Sequence, residues 1–122
     1  MKKKSDPRHR KRTKIIKELF SWDFRPKKKP SDSIKKITTH LKKIDKLIVK
    51  CAPDRPISQI NRIDLAILRL AVFELIIERE QPPKVIIDEA VELGKQFGSD
   101  SSAAFINGAL GKLVEIKGIQ TL

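Results

Sequence analysis

The 122 residues carry 27 Lys+Arg against 15 Asp+Glu, a net charge of +12, with 39% hydrophobic residues, one Trp, five Phe and no Tyr. A chain of this length buries roughly two-thirds of its unfolded surface, enough for one aliphatic core. The lone cysteine, Cys51, excludes a disulfide scaffold, and no run approaches the ~20 apolar residues that span a bilayer.

Residues 1–14 read as a basic arm, with Lys2, Lys3, Lys4, Arg8, Arg10, Lys11, Arg12 and Lys14 preceding or beginning a helix whose apolar stripe is Ile15, Ile16, Leu19 and Phe20. That helix is expected to end near Trp22 to Phe24, before a connector in which Pro26 and Pro30 enclose Lys27, Lys28 and Lys29. Ser31 or Asp32 is placed to cap a second helix carrying Ile34, Ile37, Leu41, Ile44 and Ile48, and residues 15–52 form an N-terminal helical subdomain. Pro53 and Pro56 break the chain. Ile60, Ile63, Ile67, Leu68, Ala71, Val72, Leu75 and Ile76 then give an apolar face wide enough for a central helix. Pro82 and Pro83 close it and open a fourth helix that runs to Phe97 and stops at Gly98. Ser99 or Asp100 is placed to cap a fifth, with Phe105, Ile106, Ala109, Leu110, Leu113 and Val114 inward, so that 57–117 make a C-terminal subdomain. No strand-like alternation interrupts this pattern, and the expected fold is a single all-α bundle of about five to six helices.

Charge is unevenly divided. Residues 1–50 hold 19 Lys+Arg and 5 Asp+Glu, net +14, whereas residues 51–122 hold 8 and 10, net −2. A field so concentrated favours a polyanion, either nucleic acid or an anionic membrane surface, over lysines that only confer solubility. Cations of the arm can follow a phosphate backbone while Ile15, Ile16 and Leu19 anchor the helix; such contacts carry salt dependence and no sequence information. Phe97 and Phe105 are candidates for stacking on unpaired bases, with a core role as the alternative. In the back half, Asp64 lies off the apolar stripe of the third helix and Glu74, Glu78 and Glu80 crowd its end, an acidic surface suited to a basic protein.

Catalytic signatures are missing: no HExxH, CxxC pair or GxxxxGK[ST] occurs. Asp88, Glu89 and Glu92 read as an exposed acidic face near a helix start, and Cys51 as a small core residue. The expectation is a cytoplasmic, non-catalytic protein with no metal, cofactor, small-molecule substrate or membrane partner.

Four segments carry a family resemblance. IDLAILRLAVFEL (63–75), PPKVIIDEAVELGKQFG (82–98), FINGALGKL (105–113) and ELFSWDF (18–24) occur in the order found in the bacterial transcription antitermination factor NusB family, which this chain resembles. The resemblance implies an all-helical fold of two small subdomains that binds the boxA element of nascent RNA, pairs with the ribosomal protein NusE and acts on the transcription elongation complex, especially on ribosomal RNA operons. It carries the RNA contact onto Arg8, Arg10, Lys11 and Arg12, extended by Lys14, and onto Phe20, Phe97, the turn Ser99, Asp100, Ser101 and Ser102, and Phe105. It also sets Asp64 toward NusE, and the acidic residues Glu74 and Glu78 are assigned to the same partner. The connector between Phe24 and Ile34 is shorter than the family's, which implies a reduced N-terminal subdomain. Asn107-Gly108 falls inside a helix by the same resemblance, with Gly108 packed closely on a neighbour, and Gly94 stands for the family's usual alanine and Gly111 for its usual aspartate, at up to ~1 kcal/mol each. Two alternatives share the fold: a detached RNA-binding domain of an rRNA cytosine methyltransferase, which would make a chain without a GxGxxG-type loop a fragment, and a degenerate relative that binds RNA without boxA specificity.

Overall fold

Asp6 and Pro7 start the first helix. The Asp6 carboxylate accepts a hydrogen bond from the Arg8 amide at 2.9 Å, and Pro7 supplies the preset φ of a first helical position. The computed structural model describes residues 6–121, and α1 spans Pro7–Asp23. Lys2, Lys3 and Lys4 lie outside the described residues. The described part of the expected arm is therefore helix. Its inward face continues upstream of Ile16 through His9 and Arg12, two polar residues that apolar periodicity cannot register.

The expected second helix is two. α2 (Asp32–Thr39) and α3 (Leu41–Cys51) are separated at His40, which leaves helical geometry with φ −102° and ψ 13°. Thr38 and Thr39 hydroxyls both donate to the Lys35 carbonyl, at 3.1 and 2.7 Å, offering that carbonyl an alternative to its helical partner. A short 3-10 turn (Ile57–Gln59) leads to α4 (Arg62–Val72), capped by the Asn61 side chain, which accepts from the amides of Ile63 and Asp64. Residues 64–75 are all buried, and α4 packs against α1, α3, α5 and α6, so it is the central helix that its wide apolar face predicts. It continues into a π-helical turn, Phe73–Glu78, which ends at Arg79 in the left-handed region. α5 (Pro83–Phe97) begins on Pro83 as expected, and α6 (Ser102–Lys117) completes the bundle. The described residues contain no strand, and none of their helices is long and apolar enough to cross a membrane.

Two glycines set the α5–α6 contact. A Cβ on Gly94 would stand 2.8 Å from Ile106 Cδ1, and one on Gly98 would stand 2.3 Å from Ser102 Oγ. Gly108 lies within α6 as expected but meets nothing within 4 Å, so the close approach belongs to Gly94. Core side chains from all six helices form one aliphatic cluster that includes Cys51, whose thiol is pushed up in pKa by burial.

Buried arginines hold α1 at both ends. Near its C-terminus, Asp23 accepts from Arg62 and Arg69 at 3.0 Å each, while Arg69 grips Asp45 of α3 with two bonds of 3.0 and 2.9 Å. Arg62 also donates to the carbonyls of Ile57 and Ile60. Near the N-terminus, Arg12 donates to both Glu74 carboxylate oxygens, with contacts of 2.8–3.3 Å, and to Glu89 at 3.2 Å. Arg12, Glu74 and Glu89 are only 6%, 7% and 1% exposed. Burial alone would lower the guanidinium pKa, but the hydrogen bonds and charges of Glu74 and Glu89 outweigh it and hold that pKa above the ordinary value. Removing the cation leaves two buried carboxylates unpaired. Arg12→Ala is therefore expected to lower stability by about 3–5 kcal/mol in urea unfolding. The exposed Lys14→Ala should stay within about 0.5 kcal/mol of the parent. Equal midpoints for the two variants would contradict this account of how α1 is held.

Candidate nucleic-acid interface

Six cations lie between Arg8 and Lys17 of α1, and with 3.6 residues per turn they cannot share one face. Arg12 points inward, committed to Glu74 and Glu89; its expected role as an exposed phosphate contact gives way to an internal ion pair. Arg8 and Lys11, three apart, line a cleft of about 450 Å³ closed by Lys36 of α2 and by Glu74 and Glu78 of the π turn. Arg10, Lys14 and Lys17 fall on the opposite flank and line a groove of about 380 Å³ against Gln96 of α5. His9 fixes the spacing of that groove: its Nε2 lies 2.9 Å from Gln96 Oε1, and its Nδ1 lies 3.7 Å from Glu89. Lys17 Nζ stands 5.5 Å from the centre of the half-buried Phe97 ring, so that aromatic is joined to the cationic row.

Lys14 and Lys17 also border a larger groove of about 740 Å³, shared with Phe20, Trp22 and Phe24 and with Arg25, Lys28 and Lys29 of the connector. Expectation placed only Phe20 and Lys14 of these residues at the site. The missed signal is the run of three aromatics, Phe20, Trp22 and Phe24, followed directly by the basic Arg25, Lys27, Lys28 and Lys29, which reads as a connector when only helix-breaking prolines are sought.

The remaining expected contacts divide. Ser102 is fully buried and its Oγ accepts the Ser99 amide at 2.9 Å, so it shapes the turn into α6; Ser99, Asp100 and Ser101 are exposed. Neither Ser99 nor Asp100 caps that helix: the cap position is Ser101. Phe105 is half-buried with the Arg55 guanidinium 4.2 Å above its ring.

The expected acidic surface is largely internal. Asp64 is 2% exposed in the first turn of α4, Glu74 is held by Arg12, and Glu89, expected on an open acidic face, is the other arm of the same ion pair. Asp88 and Glu92 do face solvent, with Lys84 and Lys95 at 3.7 and 3.6 Å. Glu78 keeps partial access to water. Burial pushes its pKa up, as do Glu80 and Glu74, against the opposing pull of Lys11 and Lys36. The acids of the back half thus meet the cations of the front half at one end of the bundle.

Comparison with known proteins identifies relatives of the chain. A model described as the NusB family matches residues 25–115, beginning just after α1. The transcription antitermination protein NusB of Roseiflexus castenholzii is 51% identical over 77 residues, covering 62% of this chain and 54% of that protein. NusB of Oleidesulfovibrio alaskensis is 47% identical over 91 residues, 75% of this chain and 53% of its own. The chain spans about half the length of the curated relatives it matches. Among solved structures, T. maritima NusB superposes with a TM-score of 0.79 at 29% identity, over 90% of this chain and 92% of that one. A chain from a crystal structure described as a plectonemic RNA supercoil superposes at 0.74 and 25% identity, over 90% and 96%.

The raised pKa of Glu78 fixes the sign of its contribution to stability. A carboxyl whose folded pKa exceeds its unfolded value opposes folding while ionised, and that penalty vanishes as pH falls below the ordinary range of about 4.3. Glu78→Gln is expected to raise Tm at pH 7–8 and to converge with the parent below about pH 4. A gain that grows on acidification would contradict the assignment.

Proposed function

Because the chain belongs to the NusB family of transcription antitermination proteins, we propose that it binds boxA-type single-stranded RNA together with the ribosomal protein NusE. This role is non-catalytic, performed on the elongation complex in the cytoplasm. One observation carries the proposal: Arg10, Lys14 and Lys17 form a cationic row beside Phe97, and Lys14 and Lys17 continue into a groove that adds further aromatics and cations. Phosphates of a single strand would lie along the lysines, and bases would meet the rings. Arg8 and Lys11 supply a second cationic flank, and Ser99, Asp100, Ser101 and Phe105 are candidates at the α5–α6 end.

For NusE, the solvent-accessible acid among those expected is Glu78, with exposed Glu80 beside it. Asp64, Glu74 and Ser102 enter the proposal as supports of these surfaces, because burial leaves them little to offer a partner. The antitermination reading is preferred to the methyltransferase alternative because the relatives compared are antitermination proteins.

The test measures affinity for a boxA RNA and for a scrambled RNA of equal length across a salt series, with and without NusE. The expected result is tighter binding to boxA, strengthened by NusE. Replacing Arg10, Lys14 and Lys17 by Ala should weaken binding to both RNAs and flatten the log–log salt slope by about 0.7 for each lost phosphate contact. Equal affinity for both RNAs under every condition sinks the boxA reading; an unchanged slope removes this row from the interface.

A further inference from the structure

We propose that Phe24 and the 25–30 connector form a base-stacking subsite that extends the RNA path beyond α1. The inference rests on the RNA-binding reading above and names a site outside the residues carried over by resemblance.

Phe24 is 62% exposed, more than Val49 or Ile116, the other large apolar side chains left in water. It meets Phe20 edge-to-face, with ring centres 5.0 Å apart and planes at 75°, so a neighbour fixes its position without covering it. Stacking a flat aromatic partner on this ring would remove apolar surface from water at little further ordering cost.

Backbone hydrogen bonds hold the adjoining connector in place. The Arg25 amide donates to the Trp22 carbonyl at 2.8 Å and the Lys28 amide to the Arg25 carbonyl at 3.0 Å. The Trp22 indole N–H then closes the loop onto the Lys28 carbonyl at 3.0 Å. Lys28 and Lys29 are thereby set across the groove from Lys14 and Lys17, with Arg25 beside them and Glu18 as the one acid lining it. Five cations against one carboxylate fit a polyanion, and the exposed ring fits a base. Nucleotides carry both features at single-residue spacing.

Trp22, the only tryptophan, lines this groove, so its emission reports on the subsite itself. The experiment titrates the full chain with an oligoadenylate of about 12 nucleotides and with an abasic ribose-phosphate oligomer of the same length. Quenching of Trp22 by the oligoadenylate and little change with the abasic strand are expected. Phe24→Ala should weaken oligoadenylate binding about 5- to 100-fold while leaving abasic binding unchanged, and Phe24→Tyr should retain it. Lys28→Ala with Lys29→Ala should weaken binding to both. If Phe24→Ala binds oligoadenylate like the parent while loss of Lys14 and Lys17 weakens it, the subsite is overturned and the RNA reading stands. A parent that binds neither oligomer overturns the subsite, and the boxA titration then decides the RNA reading separately. Trp22 emission that responds to phosphatidylglycerol vesicles and not to the oligomers assigns the groove to a lipid surface and also overturns the proposal.

Discussion

The ion pair that Arg12 makes with Glu74 and Glu89 sets the rotation of α1, and the candidate RNA-binding surface depends on that rotation. One cation of a basic helix is drawn into the bundle, where two carboxylates from the π turn and from α5 share it. Helical geometry then decides the rest: Arg8 and Lys11 emerge on one flank, and Arg10, Lys14 and Lys17 on the other. Asp23 does the equivalent at the far end by joining Arg62 and Arg69. With both ends held, the cationic row is a fixed feature against which the connector and Phe97 are positioned.

Counting charge along the chain and mapping charge in space give different pictures. The split of +14 and −2 suggests a basic front and an acidic back with separate partners. In the fold, Glu74 and Glu89 neutralise a front-half arginine inside the protein, and Asp23 and Asp45 of the front half neutralise Arg69 of the back half. What remains outside is a surface dominated by lysine around α1, α2 and the connector, with Glu78 and Glu80 at one margin. Salt will screen that surface strongly and the buried pairs weakly, so RNA affinity and fold stability should respond differently to ionic strength.

Much of the fold was legible because it follows from apolar periodicity and helix punctuation. The wide stripe from Ile60 to Ile76 identifies α4 as the hub, and Pro83 and Gly98 bracket α5. Illegible were features that depend on polar groups. Pro7 begins α1 eight residues before its first stripe residue, Ile15; Thr38 and Thr39 interrupt one apolar register without a proline; and Gly94 meets Ile106, and Gly98 meets Ser102, in contacts visible only in three dimensions. The candidate site was legible as a basic stretch near aromatics, but the faces on which its side chains lie were not. Stepping the Ile16–Leu19 stripe back by one turn reaches Arg12 and not Arg10 or Lys14, but an arginine at that position carries no mark of its partners, 62 and 77 residues away. For the same reason Asp64 and Glu74 read as surface acids, since a carboxylate on a helix gives no sign of whether another element will cover it.

The most direct test of this account is amide NMR of the uniformly labelled full chain titrated with boxA RNA. Chemical-shift changes are expected to concentrate at Arg10, Lys14, Lys17, Phe97 and positions 20–29, with the amides of α4 little moved. Changes centred instead on the N-terminus of α4 around Asp64, or on the outer face of α6, with the α1 row silent, would contradict it.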